Sequence, residues 1–136
     1  MSPASRRAAG ILLIVMPTVI YGGVSLLSLL MNDPAYMQNP LRQNLFRAGH
    51  AHTGVLLILS LIALRYVDEA NLSNLEKTTV RLAIPLSAIL LPAAFFFSVL
   101  TPHATKPNKL IYLAYIGAVV LAFGLIVLGI GLLRKR

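Results

Sequence analysis

Four long apolar runs divide the chain. They are ILLIVMPTVIYGGVSLLSLL (11–30), AGHAHTGVLLILSLIAL (48–64), LAIPLSAILLPAAFFFSVL (82–100) and LIYLAYIGAVVLAFGLIVLGIGLL (110–133). Each is close to the about 20 apolar residues that a helix needs to cross a bilayer. The connections, 31–47, 65–81 and 101–109, are polar and carry turn signals: NDP and NP in the first, NLSN in the second, TPH and KPN in the third. No internal repeat is evident. The pattern predicts an all-α, polytopic integral membrane protein. One transmembrane domain covers 1–136, with helices at about 11–30, 46–66, 80–101 and 109–133 in an up-down bundle. The leader SPASRRAAG resembles the charged start of a signal peptide, but the run behind it is too long for a signal's apolar region and no A-x-A site follows. The first run is therefore expected to be a retained helix.

Composition agrees with this pattern. Hydrophobic residues make up 57% of the chain and charged residues 12%, against about 25% charged in a soluble domain. The net charge of +8 falls singly at the ends of apolar runs, as topology signals and lipid contacts do, rather than along a face that tracks nucleic-acid phosphates. Four helices place both termini on one side. Arg6, Arg7, Arg65, Lys77, Arg81, Arg134, Lys135 and Arg136 share that side, and Arg42, Arg47, Lys106 and Lys109 the other. The basic excess predicts cytoplasmic termini in a cell membrane. The only histidines, His50, His52 and His103, then gather toward the outer face.

Several chemistries are excluded. The chain has no cysteine, hence no disulfide and no thiolate metal site. Asp33, Asp68, Glu69 and Glu76 are its only acids, and all lie in connections. An intramembrane acid of the kind that proton-coupled transporters use is absent. There is no glycine-rich phosphate loop and no H-E-x-x-H. No residue stands out as catalytic, and the reading leans away from an enzyme.

Small residues suggest where helices meet. Gly117, Gly124 and Gly131 recur every seven residues in the last run, with Ala114, Ala118 and Ala122 beside them. In lipid such stripes let backbones approach closely. The stripe is expected to be a packing seam within the chain or toward other subunits or a second copy; a groove for a flat cofactor or a lipid chain is the other reading. Pro17, Pro85 and Pro92 fall inside runs, where each removes a backbone hydrogen bond. The chain's other expected partners are membrane lipids.

The second run opens with RAGHAHTG (47–54). Imidazole in an apolar run points to function, because its nitrogens need partners. A plain alternative is that His50 and His52, close beneath Arg47, are wetted by the interface or bonded to a loop carbonyl. The functional alternative is ligation of haem or of copper, iron or zinc. Residues two apart on a helix point about 200° apart. His50 and His52 therefore grip one ion only if the segment unwinds at Gly49, with His103, Met31 or Met37 completing the site. On an intact helix they serve opposite faces. His50 then shares a face with Arg47, which pairs with a haem propionate or a headgroup phosphate, and with Gly54, which leaves room for something flat.

RAGHAHTG resembles the helical H-x-H of haem–copper oxidase subunit I, which sends imidazoles to two haems, and the H-x-H of small bacterial four-helix membrane proteins distantly similar to that subunit. The resemblance spans eight residues of 136, and the chain has too few helices and histidines for the oxidase's full set of metal sites. It implies a ligand role for His50 and His52 and no oxidase activity. The expected function is a small inner-membrane protein binding haem or a transition metal near its outer face, for electron transfer or metal handling. The rival is a non-catalytic accessory or assembly subunit of a larger membrane complex.

Overall fold

The helices that start at Pro3, Pro34, Pro40 and Asn74 each carry a side-chain cap. Ser2 accepts a hydrogen bond from the Ser5 N–H ahead of Pro3, Asp33 from Ala35 and Tyr36 ahead of Pro34, and Asn39 from Arg42 ahead of Pro40. A capping oxygen followed by proline at the first helical position satisfies one free N–H and omits another. Ser73 and Glu76 close a reciprocal capping box.

The computed structural model describes residues 1–135. They form α1 (Pro3–Asn32), α2 (Pro34–Met37), α3 (Pro40–Tyr66), α4 (Asn74–Phe97) and α5 (Leu113–Leu133), the last entered through a 3-10 turn at Lys109–Tyr112. No strand occurs among the described residues. Four helices are long and apolar enough to cross a membrane. The helices pass through Pro17, Pro85 and Pro92 without a break.

The boundaries differ from the apolar runs where caps outweigh hydropathy. The polar leader is the first turns of α1, because Ser2 caps it. NDP and NP start helices rather than mark bare turns, so α3 begins at Pro40 instead of about 46. The third long apolar helix ends at Phe97, short of 101, and the 98–108 segment folds back on it: the Asn108 N–H donates to Ser98 O at 2.8 Å and its side chain to Phe97 O at 3.0 Å.

α1 packs along α3, α3 along α4, and α4 along α5. Three buried clusters stack along the bundle. Ala63, Val67, Val80, Ile84 and Leu128 join α3, α4 and α5 near the chain termini. Leu56, Leu57, Ala88 and Leu91 hold the middle. Tyr36, Phe46 and Val99 fill the far end beneath α2. α1 is the least enclosed helix; Ser5 is its one buried residue.

The glycine stripe of α5 turns inward. A β-carbon on Gly117 would meet Leu90 and Leu91, and one on Gly124 would meet Ala83 and Ile84. Gly131 meets the side chain of Leu72, and its carbonyl accepts from the Asn71 N–H at 2.8 Å. The stripe is a seam within the chain. Self-association through Gly117, Gly124 and Gly131 has no free surface there, because α4 and the 71–72 turn cover it.

Candidate functional site around the histidines of α3

α3 is continuous from Pro40 to Tyr66, so the H-x-H segment is not unwound at Gly49. His50 and His52 point to opposite sides of it. They lie about three turns inside the helix start at Pro40, roughly 15–18 Å along its axis at 1.5 Å per residue.

His50 faces α1. Its ring sits against Gly22 and Gly23, where added β-carbons would stand 3.5 and 3.2 Å from it. Arg47 and Gly54 share this face, as expected for positions one turn to either side. Arg47 donates through Nε to Gln43 O at 3.2 Å and through Nη2 to Asn44 Oδ1 at 2.8 Å. It borders a cavity of about 130 Å³ between α1 and α3 that Leu26, Leu30, Tyr36 and Gln43 also line. Small-molecule sites usually enclose about 300–1,000 Å³, so this hollow does not hold a haem.

Gly54, expected to leave room for a flat group, and the other glycines around the histidines already have neighbouring side chains against them. The Gly22–Gly23 notch contains the His50 ring. Gly49 contacts the Phe96 ring, with a built β-carbon 2.8 Å from it, and Gly54 lies opposite Val19 at 3.7 Å. The physical reason is close helix packing: each missing side chain admits a neighbouring one.

His52 is on the other side and exposed. Its Nδ1 lies 2.7 Å from Ala48 O. A carbonyl oxygen only accepts, so Nδ1 carries the proton and the neutral ring keeps its lone pair on Nε2. The Phe95 ring of α4 stands beside it, centroids 5.1 Å apart. A backbone carbonyl bonded to one imidazole nitrogen is the arrangement that orients histidine ligands and raises their basicity.

His103 occupies a third place, exposed in the 98–108 segment, on a cavity of about 480 Å³ that also takes in Gln38, Asn39 and Thr105. The Asn39 amide ties this segment to the start of α3 through Pro102 O at 3.3 Å and Ala104 O at 3.0 Å. All three histidines therefore lie toward one end of the molecule, yet they do not converge. Among the described residues no group of three or more His, Asp or Glu side chains is placed to hold a metal ion. A single ion shared by His50, His52 and His103 is not what this fold builds, because α3 stays helical and aims two of the rings apart.

Two polar clusters lie outside the expected site. Arg42, counted in the sequence as a loop charge, is 6% exposed. It donates through Nε to Val99 O at 3.1 Å and through Nη2 to Leu100 O at 3.4 Å, beside the Tyr36 and Phe46 rings. Its Nη1 is buried without a protein partner. At the opposite end, Asp68 accepts from the Ser2 N–H at 2.7 Å and from Arg81 Nη2 at 2.7 Å. Arg81 also reaches Ser5 Oγ through Nε at 2.9 Å. Burial disfavours the Asp68 charge, but the bonds from Ser2, Arg81 and Ser5 prevail and hold its carboxyl well below the usual carboxylate range.

No family model matches the chain, and neither does any curated protein or solved structure.

Proposed function

We propose that the protein is a multi-pass membrane protein with both termini cytoplasmic, and that it offers the His52 imidazole as one ligand to a haem or transition-metal centre completed by a second chain. The observation that supports this is the 2.7 Å contact from Nδ1 to Ala48 O, which in the neutral ring leaves the Nε2 lone pair on an exposed side of the bundle. One imidazole is not a complete site. The other ligand comes from another copy or another membrane subunit, and copper, iron and zinc all accept imidazole. In this reading His50 has a packing role. Arg47, Gly54 and His103 are not ligands.

The same lone pair favours a second reading, the accessory subunit. Nε2 is then a hydrogen-bond acceptor for a polar side chain on a partner helix, a contact of the kind that joins helices in lipid.

Absorption spectroscopy and elemental analysis of protein purified in mild detergent test the proposal. A haem Soret band or a stoichiometric metal is expected, lost in His52→Ala and retained in His50→Ala. Retention of the cofactor in His52→Ala overturns the ligand assignment. Protein that carries neither haem nor metal leaves the accessory reading. For the orientation, a cysteine at Thr105 should label from outside the cell and one at Lys135 should not; the reverse pattern overturns cytoplasmic termini.

A further inference from the structure

α1 and α4 flank α3 without closing over it, and a groove of about 490 Å³ runs between them. Ile11 and Val15 form one wall, Leu86 and Ile89 the other, Thr53 lies in the floor, and Arg81 stands at one end. From Arg81 to Ile89 the groove follows eight residues of helix, about 12 Å. That is close to the roughly 15 Å of hydrocarbon in one leaflet. The floor offers no free donor, because the Thr53 hydroxyl donates to Gly49 O at 2.8 Å. An occupant of the groove is therefore a hydrocarbon chain rather than a polar solute.

The mouth is basic. Asp68 is paired with Arg81, Glu69 with Arg65 and Glu76 with Arg134. Arg6 and Arg7 are exposed and have no acidic partner among the described residues. Arg7 lies one turn before Ile11, on the same face of α1. Arg81 uses Nε for Ser5 and Nη2 for Ser2 and Asp68, and no partner among the described residues takes its Nη1. Arg81, itself paired with Asp68, thus stands at the end of an apolar channel one leaflet long, and the exposed Arg7 lies one turn before the wall residue Ile11. Basic pockets between spanning helices bind anionic headgroups in this way.

We propose that the groove between α1 and α4 holds an acyl chain of an anionic glycerophospholipid, its phosphate at Arg7 and the Nη1 edge of Arg81, in the leaflet where the chain's ends lie. This inference rests on the membrane-spanning reading and is independent of His52.

The chain has no tryptophan, so an introduced indole reports alone. Full-length Ile89→Trp, at the exposed rim of the groove, is reconstituted in bilayers of equal phosphatidylglycerol and phosphatidylcholine, with bromine on the acyl chains of one lipid or the other. Ile126→Trp, on the exposed face of α5, is the reference. At Ile89→Trp brominated phosphatidylglycerol should be preferred roughly fivefold, the equivalent of about 1 kcal/mol for one basic residue at a membrane surface. Ile126→Trp should show no such preference, and adding Arg7→Gln should reduce it at Ile89→Trp. Equal quenching by both lipids at Ile89→Trp overturns the proposal. So does an equal preference at both positions, which is general attraction to a basic protein, and so does a preference that survives Arg7→Gln. Quenching at Ile126→Trp alone means that a protein segment or a second copy covers the groove. Quenching at neither position overturns the membrane-spanning reading itself.

Discussion

His50 fills the notch that Gly23 leaves in α1: a β-carbon on Gly23 would stand 3.2 Å from both Cε1 and Nε2 of the imidazole. The neighbouring Gly22 is looser, with its β-carbon position 3.5 Å from Nδ1. Apart from the buried Ser5 near its start, α1 meets the core through partly buried residues such as Leu12, Met16 and Val19. The imidazole against the glycine pair therefore sets how closely α1 approaches α3. The His50 side chain is half-buried against α1, so anything that approached the ring from its Gly22–Gly23 side would meet α1 first.

The two glycines separate packing from chain flexibility. Gly22→Ala makes an ordinary van der Waals contact and gains helix propensity, so its thermal stability in detergent should equal or exceed that of the parent. Gly23→Leu drives a branched side chain into the ring and should cost roughly 1–3 kcal/mol, as overpacking does. Thermal unfolding followed by circular dichroism reads both. If Gly23→Leu melts with the parent, α1 is not seated on His50.

The seam of α5 is tested at its centre. A β-carbon on Gly124 would stand 2.9 Å from Ile84 Cγ1 and 3.2 Å from Ala83 Cβ. Gly124→Leu should lower stability by about 1–3 kcal/mol. Val119→Leu, on an exposed position of the same helix, should leave it unchanged. Equal melting of the two variants would place the glycine on the outer surface and remove the seam.

The four long apolar helices were legible because their apolar runs are long, and a polar backbone in such runs has few alternatives to a helix. The opposed directions of His50 and His52 follow from helical periodicity alone, once no proline interrupts 41–66. The true starts of α1 and α3 were less visible, since Ser2-Pro3, Asp33-Pro34 and Asn39-Pro40 read equally as turns and as caps. The seam's glycines were visible, but which neighbour covers each depends on tertiary packing: Leu72 comes from a turn, not from a helix. Arg42 was least legible. Only after Asn39 caps α3 does Arg42 become a helical residue one turn from Phe46, and only the fold brings Tyr36 and the 99–100 carbonyls around it.

Arg42 should not tolerate lysine. Its planar fork bonds two carbonyls just beyond the end of α4, where a cation is also favoured by the helix dipole, and it stands beside two aromatic rings. An ammonium is a point donor that cannot reproduce this fork. Arg42→Lys should cost roughly 1–3 kcal/mol by leaving a buried acceptor unpaired, and limited proteolysis should cut the 98–108 segment faster. A variant with unchanged melting and unchanged proteolysis would show that the segment is held by Asn39 and Asn108 alone.

Asp68 couples the start of α1 to acid. Its folded pKa is depressed, first against burial and then by the bonds from Ser2, Arg81 and Ser5. A group lowered in this way adds stability above its unfolded pKa, near 3.9, and that contribution is lost as pH falls through the folded value. The melting midpoint of the parent should therefore lose the Asp68 contribution only below about pH 4. Asp68→Asn should be less stable at pH 7 by roughly 1.5–3 kcal/mol, the range for hydrogen bonds to a charged group. Because the variant lacks the titrating carboxyl, the gap between the two proteins should narrow as the buffer is taken from pH 5 toward pH 2. Arg81→Gln should narrow it in the same direction by removing the cation that stabilises the carboxylate. A gap that stays constant across that range would show that the Asp68 charge contributes nothing and that Ser2 and Ser5 alone tie α1 to the turn between α3 and α4.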